Sequence, residues 1–138
     1  MKNTIVAKFG GTSVANADAM QNSANIVLSN PNVRVVVLSA SAGVTNLLVE
    51  LADGCDQEKR HYVIDEIRRI QYSILDSLHQ PSVLREEIDR MLENIAMLSE
   101  AAALATSPAL TDELVSHGEL MSTLLFVELL RQRDVNVE

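Results

Sequence analysis

The chain has 138 residues, 47% apolar but only 3% aromatic, so one domain with an aliphatic core is expected. Its 11 Lys and Arg stand against 19 Asp and Glu, a formal charge of −8 with no basic tract, which disfavours a nucleic-acid partner. One cysteine, Cys55, excludes an internal disulfide and a cysteine zinc cluster, and no apolar run reaches the roughly 18 residues of a membrane span; the expectation is a cytoplasmic protein with no membrane partner.

Thr4 to Phe9 reads as the first strand. Gly10 and Gly11 then make a tight turn, and Thr12 and Ser13 open a helix. Glycines let the backbone approach a bound group, and N–H groups at a helix start attract an anion. With Lys8 at the strand end, the stretch suits a phosphate cradle. It equally suits a plain turn followed by an N-cap. It is neither a Walker loop nor a dinucleotide fingerprint, whose glycine spacings differ.

Ala17, Met20, Ala24, Val27 and Leu28 recur at helical spacing, predicting a helix over Ala15 to Ser29 that Asn30-Pro31-Asn32 stops. Val33 to Leu38 is nearly all β-branched, as in a strand buried on both faces. Strand, helix and strand make a βαβ unit with parallel strands. The small residues Ser39 to Gly43 leave the second strand at the edge where the Gly10-Gly11 turn lies. Ligands bind at that edge of open α/β sheets, although small residues there also simply permit close packing.

Val44 to Asp53 reads as a short helix, with Thr45 and Asn46 in its first turn and Gly54 ending it. Val63, Ile67, Ile70 and Ile74 form one apolar stripe, and Leu84, Ile88, Met91, Ile95 and Leu98 form another. Those spacings predict an antiparallel helical hairpin beside the sheet. Pro81 is expected to break its first helix and Ser82 to cap the second. No chemistry is assigned to this lobe, and His61 and His79 are read as surface residues.

Thr111 is the expected N-cap of a further helix whose buried face is Leu114, Gly118, Met121, Leu125 and Leu129, with Arg131 and Arg133 near its end. Gly118 inside that helix costs about 1 kcal/mol relative to alanine, which suggests either a close approach to the backbone there or a glycine spaced for helix packing. Glu119 beside it suits pairing with an ammonium ligand, or else simply faces solvent. His117-x-Glu119 lacks the Pro-Cys-x-x-Cys partner of the zinc deaminases, and no metal site is assigned. Val135 to Val137 reads as the start of a third strand. Two strands and an incipient third leave unpaired edges, so the chain reads as the front of a longer protein whose isolated piece self-associates.

Lys8 to Val14 resembles the N-terminal signature of aspartate kinases, members of the amino acid kinase superfamily. Leu38 to Asn46 is similar to that family's second glycine-containing loop, and Ser116 to Ser122 to its third motif. The resemblance covers essentially the whole chain and is greatest to the lysine-sensitive, monofunctional aspartokinase III type. It implies an α/β fold, a three-layer sandwich of the amino acid kinase type, with a mainly parallel sheet, here truncated and helix-rich. Residues 1–138 would be the N-terminal part of the catalytic domain, with the hairpin lobe at about 57–105.

The implied reaction carries the γ-phosphoryl of MgATP to the side-chain carboxylate of L-aspartate, the first step toward lysine, methionine and threonine. Lys8 would neutralise phosphate oxygens as the catalytic cation. Gly10, Gly11, Thr12 and Ser13 would cradle phosphates, and Ser39 would lie beside them. Ser39, Thr45 and Glu119 would hold aspartate, with Glu119 taking the α-ammonium. In the family, a catalytic Asp, a carboxylate-gripping Arg, the adenine-binding segments and the dimerising, lysine-binding ACT domains come from sequence beyond Glu138. The expectation is therefore a homodimer when full-length and an inactive isolated fragment. The competing readings are a kinase for another amino acid such as glutamate, a non-catalytic nucleotide- or amino-acid-binding module, and a purely structural helical domain.

Overall fold

The computed structural model describes residues 3–138. β1 (Ile5–Phe9) and β2 (Val33–Leu38) pair in parallel, with Val6 opposite Val35, Lys8 opposite Val37 and Phe9 opposite Leu38. α1 (Ala17–Leu28) connects them, so the expected βαβ unit is present. The helix starts two residues later than predicted. A single 3-10 turn over Gly11–Val14 comes first, and the Asn16 side chain then caps α1 by accepting from the Ala19 N–H at 2.8 Å.

Side chains alternate across a strand, and the two faces of this sheet differ. Phe9 and Leu38 enter the core, with Ala7 and Val36 packed against it. On the opposite face Val6, Val35 and Val37 are 60%, 47% and 45% exposed. The expectation that β2 is buried on both faces is therefore corrected: no described residue covers the outer face. Its β-branched composition suits burial that this stretch of chain does not itself supply.

The remaining elements are helices: α2 (Val44–Ala52), α3 (Gln57–Leu75), α4 (Ser82–Leu104) and α5 (Pro108–Gln132). Gly54, at φ +90°, turns the chain after α2, and the Asp56 carboxylate caps α3 by accepting from the Lys59 N–H at 2.8 Å. α3 and α4 form the predicted hairpin, burying Val63, Ile67 and Ile74 against Leu84, Ile88 and Ile95. Across it the Tyr72 hydroxyl donates to Asp89, while Arg85 lies 4.7 Å over the Tyr72 ring and pairs with Asp76 at 2.5 Å. His61 and His79 are exposed, as expected.

Three boundaries differ from the sequence reading. α3 ends at Leu75, well before Pro81, and Ser82 is the first helical residue of α4 rather than its cap; Pro81 holds the cap position without a side-chain bond. α5 begins a turn before Thr111. The Ser107 hydroxyl accepts from the Leu110 N–H at 3.1 Å, and Pro108 takes the first helical position, where its fixed φ and missing N–H cost nothing. Thr111 lies inside the helix and donates its hydroxyl to the Ser107 carbonyl at 3.1 Å. Val135 to Val137 is not a strand: Asp134 adopts φ +61°, and the Val135 N–H returns to the Leu130 carbonyl at 3.1 Å.

α5 is the central support. It packs on α1, α2, α3, α4 and β2, and buries the predicted face Leu114, Gly118, Met121, Leu125 and Leu129. Phe126 meets Phe9 with ring centroids 6.4 Å apart, which anchors the end of β1 to the helix.

Candidate functional site

β1 and β2 end side by side, and the loops that follow them are joined through the backbone. The Ser39 N–H donates to the Phe9 carbonyl at 3.0 Å and the Ala42 N–H to the Gly11 carbonyl at 3.1 Å. Gly11 is required for that approach. A Cβ there would lie 2.9 Å from the Ala40 carbonyl oxygen and 3.4 Å from the Ala42 Cα, against backbone that has no room to yield. Gly10 is extended and leads into the 3-10 turn, where the Ser13 N–H bonds the Gly10 carbonyl at 3.1 Å. The first N–H groups of such a turn have no partner within it. Ser23 of α1 braces the turn by donating its hydroxyl to the Ser13 carbonyl at 2.7 Å.

The second loop is held from below by α5. A Cβ on Gly118 would lie 2.8 Å from the Ala40 Cβ, 3.0 Å from Leu48 Cδ1 and 3.3 Å from Val44 Cγ1. One turn further along, the buried Ser122 hydroxyl donates to the Ser39 carbonyl at 2.6 Å. Gly43, at φ +89°, then starts α2, a conformation that glycine adopts without strain. Thr45 follows in the first turn of that helix.

The geometry thus assembles all three sequence motifs at one sheet edge. Gly10, Gly11, Thr12, Ser13 and Ser39 share the two joined loops. Thr45 and Glu119 each adjoin the Val44–Gly118 contact. Lys8 stands on the outer sheet face beside Val6, exposed, and among the described residues it makes no ion pair with Glu119. Lys8, Thr12, Thr45 and Glu119 are all exposed, so the site is an open ledge rather than an enclosed cavity. The larger hollows lie elsewhere, such as a groove of about 450 Å³ between α3 and α4 lined by Arg60, His61, Tyr72 and Glu93.

His117 and Glu119 do not act together. The His117 ring is buried with Nδ1 2.7 Å from the Glu113 carbonyl, whereas Glu119 faces outward. Two site residues were not singled out from sequence. One is Ser122; the other is Ser41, whose buried hydroxyl has no partner among the described residues. Ser122 stood inside the third motif, and its tie to Ser39 spans a separation of 83 residues that no local pattern reveals.

The chain matches the amino acid kinase family over residues 3–138. It is 67% identical to the lysine-sensitive aspartokinase 3 of Escherichia coli K12 over 138 residues, all of this chain and 31% of that one. It is 47% identical over 100 residues to a Haemophilus influenzae protein whose name proposes an inactive aspartokinase 3, covering 70% of this chain and 83% of that one. The crystal structure of Escherichia coli aspartokinase III with aspartate and ADP superposes with a TM-score of 0.97 at 68% identity, over 99% of this chain and 30% of that one. This chain therefore spans about a third of the length of the Escherichia coli enzyme and most of the Haemophilus influenzae protein. A βαβ unit whose two glycine loops are locked together and clamped by a glycine-bearing helix, matched along its whole described length, places the chain in the amino acid kinase family.

Proposed function

We propose that residues 1–138 are the N-terminal part of an aspartate kinase catalytic domain, with the hairpin at about 57–105 as its lobe, and that the ledge holds phosphates and substrate. The observation that carries this reading is the convergence of the Gly11 turn, the Ser39 loop and the Gly118 helix at one sheet edge. ADP and aspartate are the ligands named in the superposed Escherichia coli structure.

In the proposed reaction a side-chain carboxylate oxygen of L-aspartate attacks the γ-phosphorus of MgATP. The bond to the β,γ-bridging oxygen breaks, its electron pair leaves with ADP, and 4-phospho-L-aspartate forms. Such transfer depends on positioning and charge stabilisation. Lys8 neutralises phosphate oxygens; Gly10, Gly11, Thr12, Ser13 and Ser39 surround them with backbone N–H and hydroxyl groups. Glu119 accepts the α-ammonium of aspartate, and Thr45, with Ser39, orients that substrate. The carboxylate nucleophile is already ionised near neutral pH, so no strong general base is needed. Magnesium enters with ATP. The natural product works in the cytoplasm as a homodimer, and the 138 residues alone are inactive.

The test is ADP formation by the protein as its gene encodes it, with aspartate and with glutamate. Turnover on aspartate that falls at least a hundredfold in Lys8→Ala is expected. Equal turnover on glutamate sinks the aspartate assignment. The Haemophilus influenzae relative favours a second reading, a short chain without kinase activity. Saturable ADP or aspartate binding without turnover in the gene-encoded product selects that one.

A further inference from the structure

Ser122 has one hydroxyl proton and two acceptors within reach. Its Oγ lies 2.6 Å from the Ser39 carbonyl oxygen and 3.2 Å from the Glu119 carbonyl oxygen. The second contact is the local back-bond that helical serines make to the preceding turn. The first crosses from α5 to the phosphate-side loop, and as the shorter bond it holds the proton. Gly118, one turn earlier on the same helix, lets Ala40 settle on α5, so the pair Gly118–Ser122 receives the pair Ala40–Ser39. Ser99 offers the contrast. It is equally buried, but its hydroxyl makes only the local bond, to the Ala96 carbonyl at 2.8 Å.

We propose that Ser122 is a positioning residue for the phosphoryl transfer: its hydroxyl fixes the Ser39 loop against the helix that carries Glu119, and so sets the separation between the phosphate-side and ammonium-side binding groups. The inference rests on the aspartate kinase reading. Ser122 touches no substrate in this scheme and acts through Ser39. In-line transfer is sensitive to that separation, because a misplacement of about 1 Å at a reacting centre costs on the order of a hundredfold in rate. The same link couples the two ligands: an occupied Glu119 steadies α5, and α5 steadies the loop that receives the nucleotide.

The experiment compares Ser122→Ala, Ser122→Thr and Ser99→Ala in the gene-encoded protein. For Ser122→Ala, kcat is expected to fall about ten- to a hundredfold. Its melting temperature should drop no further than that of Ser99→Ala. The gain in ADP affinity that aspartate confers should shrink, and Ser122→Thr, which keeps the donor, should recover most of the rate. Amide exchange at Ser39 and Ala42, whose N–H groups join the loops, should accelerate in Ser122→Ala alone. A Ser122→Ala enzyme with the kcat and ligand coupling of Ser99→Ala overturns the proposal. So does a rate loss that Ser99→Ala shares in proportion to its melting shift. Should Ser122→Ala fail to fold, Ser122→Cys, which weakens the donor at similar volume, is read against the same two outcomes. If the unmodified protein lacks aspartate-dependent turnover, the kinase reading fails on its own. Amide exchange then still decides the tie: unchanged protection of Ser39 and Ala42 overturns it.

Discussion

Gly118 and Ala40 are in contact so close that a β-carbon on Gly118 would lie 2.8 Å from that of Ala40. Helix propensity alone favours alanine at position 118 by about 1 kcal/mol. Overpacking opposes it by about 1–3 kcal/mol, because the Ala40 β-carbon has no rotamer to move into and Leu48 and Val44 crowd the same point. Gly118→Ala is therefore expected to lower the urea midpoint and to displace the Ser39 loop. An unchanged or raised midpoint contradicts the tight approach.

Gln71 lies fully buried in α3, with neither amide atom partnered among the described residues. A buried polar group left unsatisfied costs about 1–3 kcal/mol. Gln71→Met keeps the length of the side chain and removes both orphaned atoms. The variant should gain about 1–2 kcal/mol in chemical denaturation. A loss of stability would mean that the amide is satisfied in solution, for instance by an internal water.

The Tyr72 phenol is held above its ordinary ionisation range, first by burial and then by its hydrogen bond to the Asp89 carboxylate, with Arg85 pulling the other way. The folded state thus binds the phenolic proton more tightly than the unfolded chain does. This contribution is fully present below the unfolded value of about 10 and is lost as pH rises through the raised one. The sequence has two tyrosines, so a Tyr62→Phe background leaves Tyr72 as the only phenol. Its absorbance titration should have a higher midpoint in the native protein than in urea. Coincident midpoints would contradict both the burial of the phenol and its bond to Asp89.

The outer sheet face exposes Val6, Val35 and Val37, and a groove of about 460 Å³ runs along β2 beside Phe126, Val135 and Val137. Such a face and two free strand edges invite association. The 138-residue chain is expected to self-associate in sedimentation equilibrium. Salt should strengthen the association by screening repulsion between copies of charge −8. The double variant Val35→Lys/Val37→Lys should remain monomeric. A monomeric parent at sub-millimolar concentration and high salt would count against this face.

The sheet, the hairpin and the buried face of α5 were legible because apolar spacing records them directly. Gly118 was legible as a position of close contact, but not with what: it was open to a loop approach or to helix packing, and Ala40 of the loop and Val44 and Leu48 of α2 all meet it. Caps were less so. Ser107-Pro108 carries the signature of a cap followed by the first helical residue, but Thr111 with its two following acids offered a competing start, and the earlier one won because Pro108 needs no N–H partner. Val135 to Val137 has strand composition, yet a strand exists only with a neighbour to pair with. The outer face of β2 shows the same limit, since composition reports a preference for burial and not what supplies it. At the site, each motif was visible alone, whereas the clamp of Ser122 on Ser39 joins residues that only the folded chain brings together.

That clamp also imposes an order of events. The pairing of β1 with β2 and the Gly11–Ala42 bond draw only on residues that precede Gly43. Ser39 receives its second support only when residue 122 has been synthesised. During translation the two glycine loops are therefore complete in sequence before the helix that clamps them, so a nascent chain shorter than α5 carries both loops without the support that joins Ser122 to Ser39.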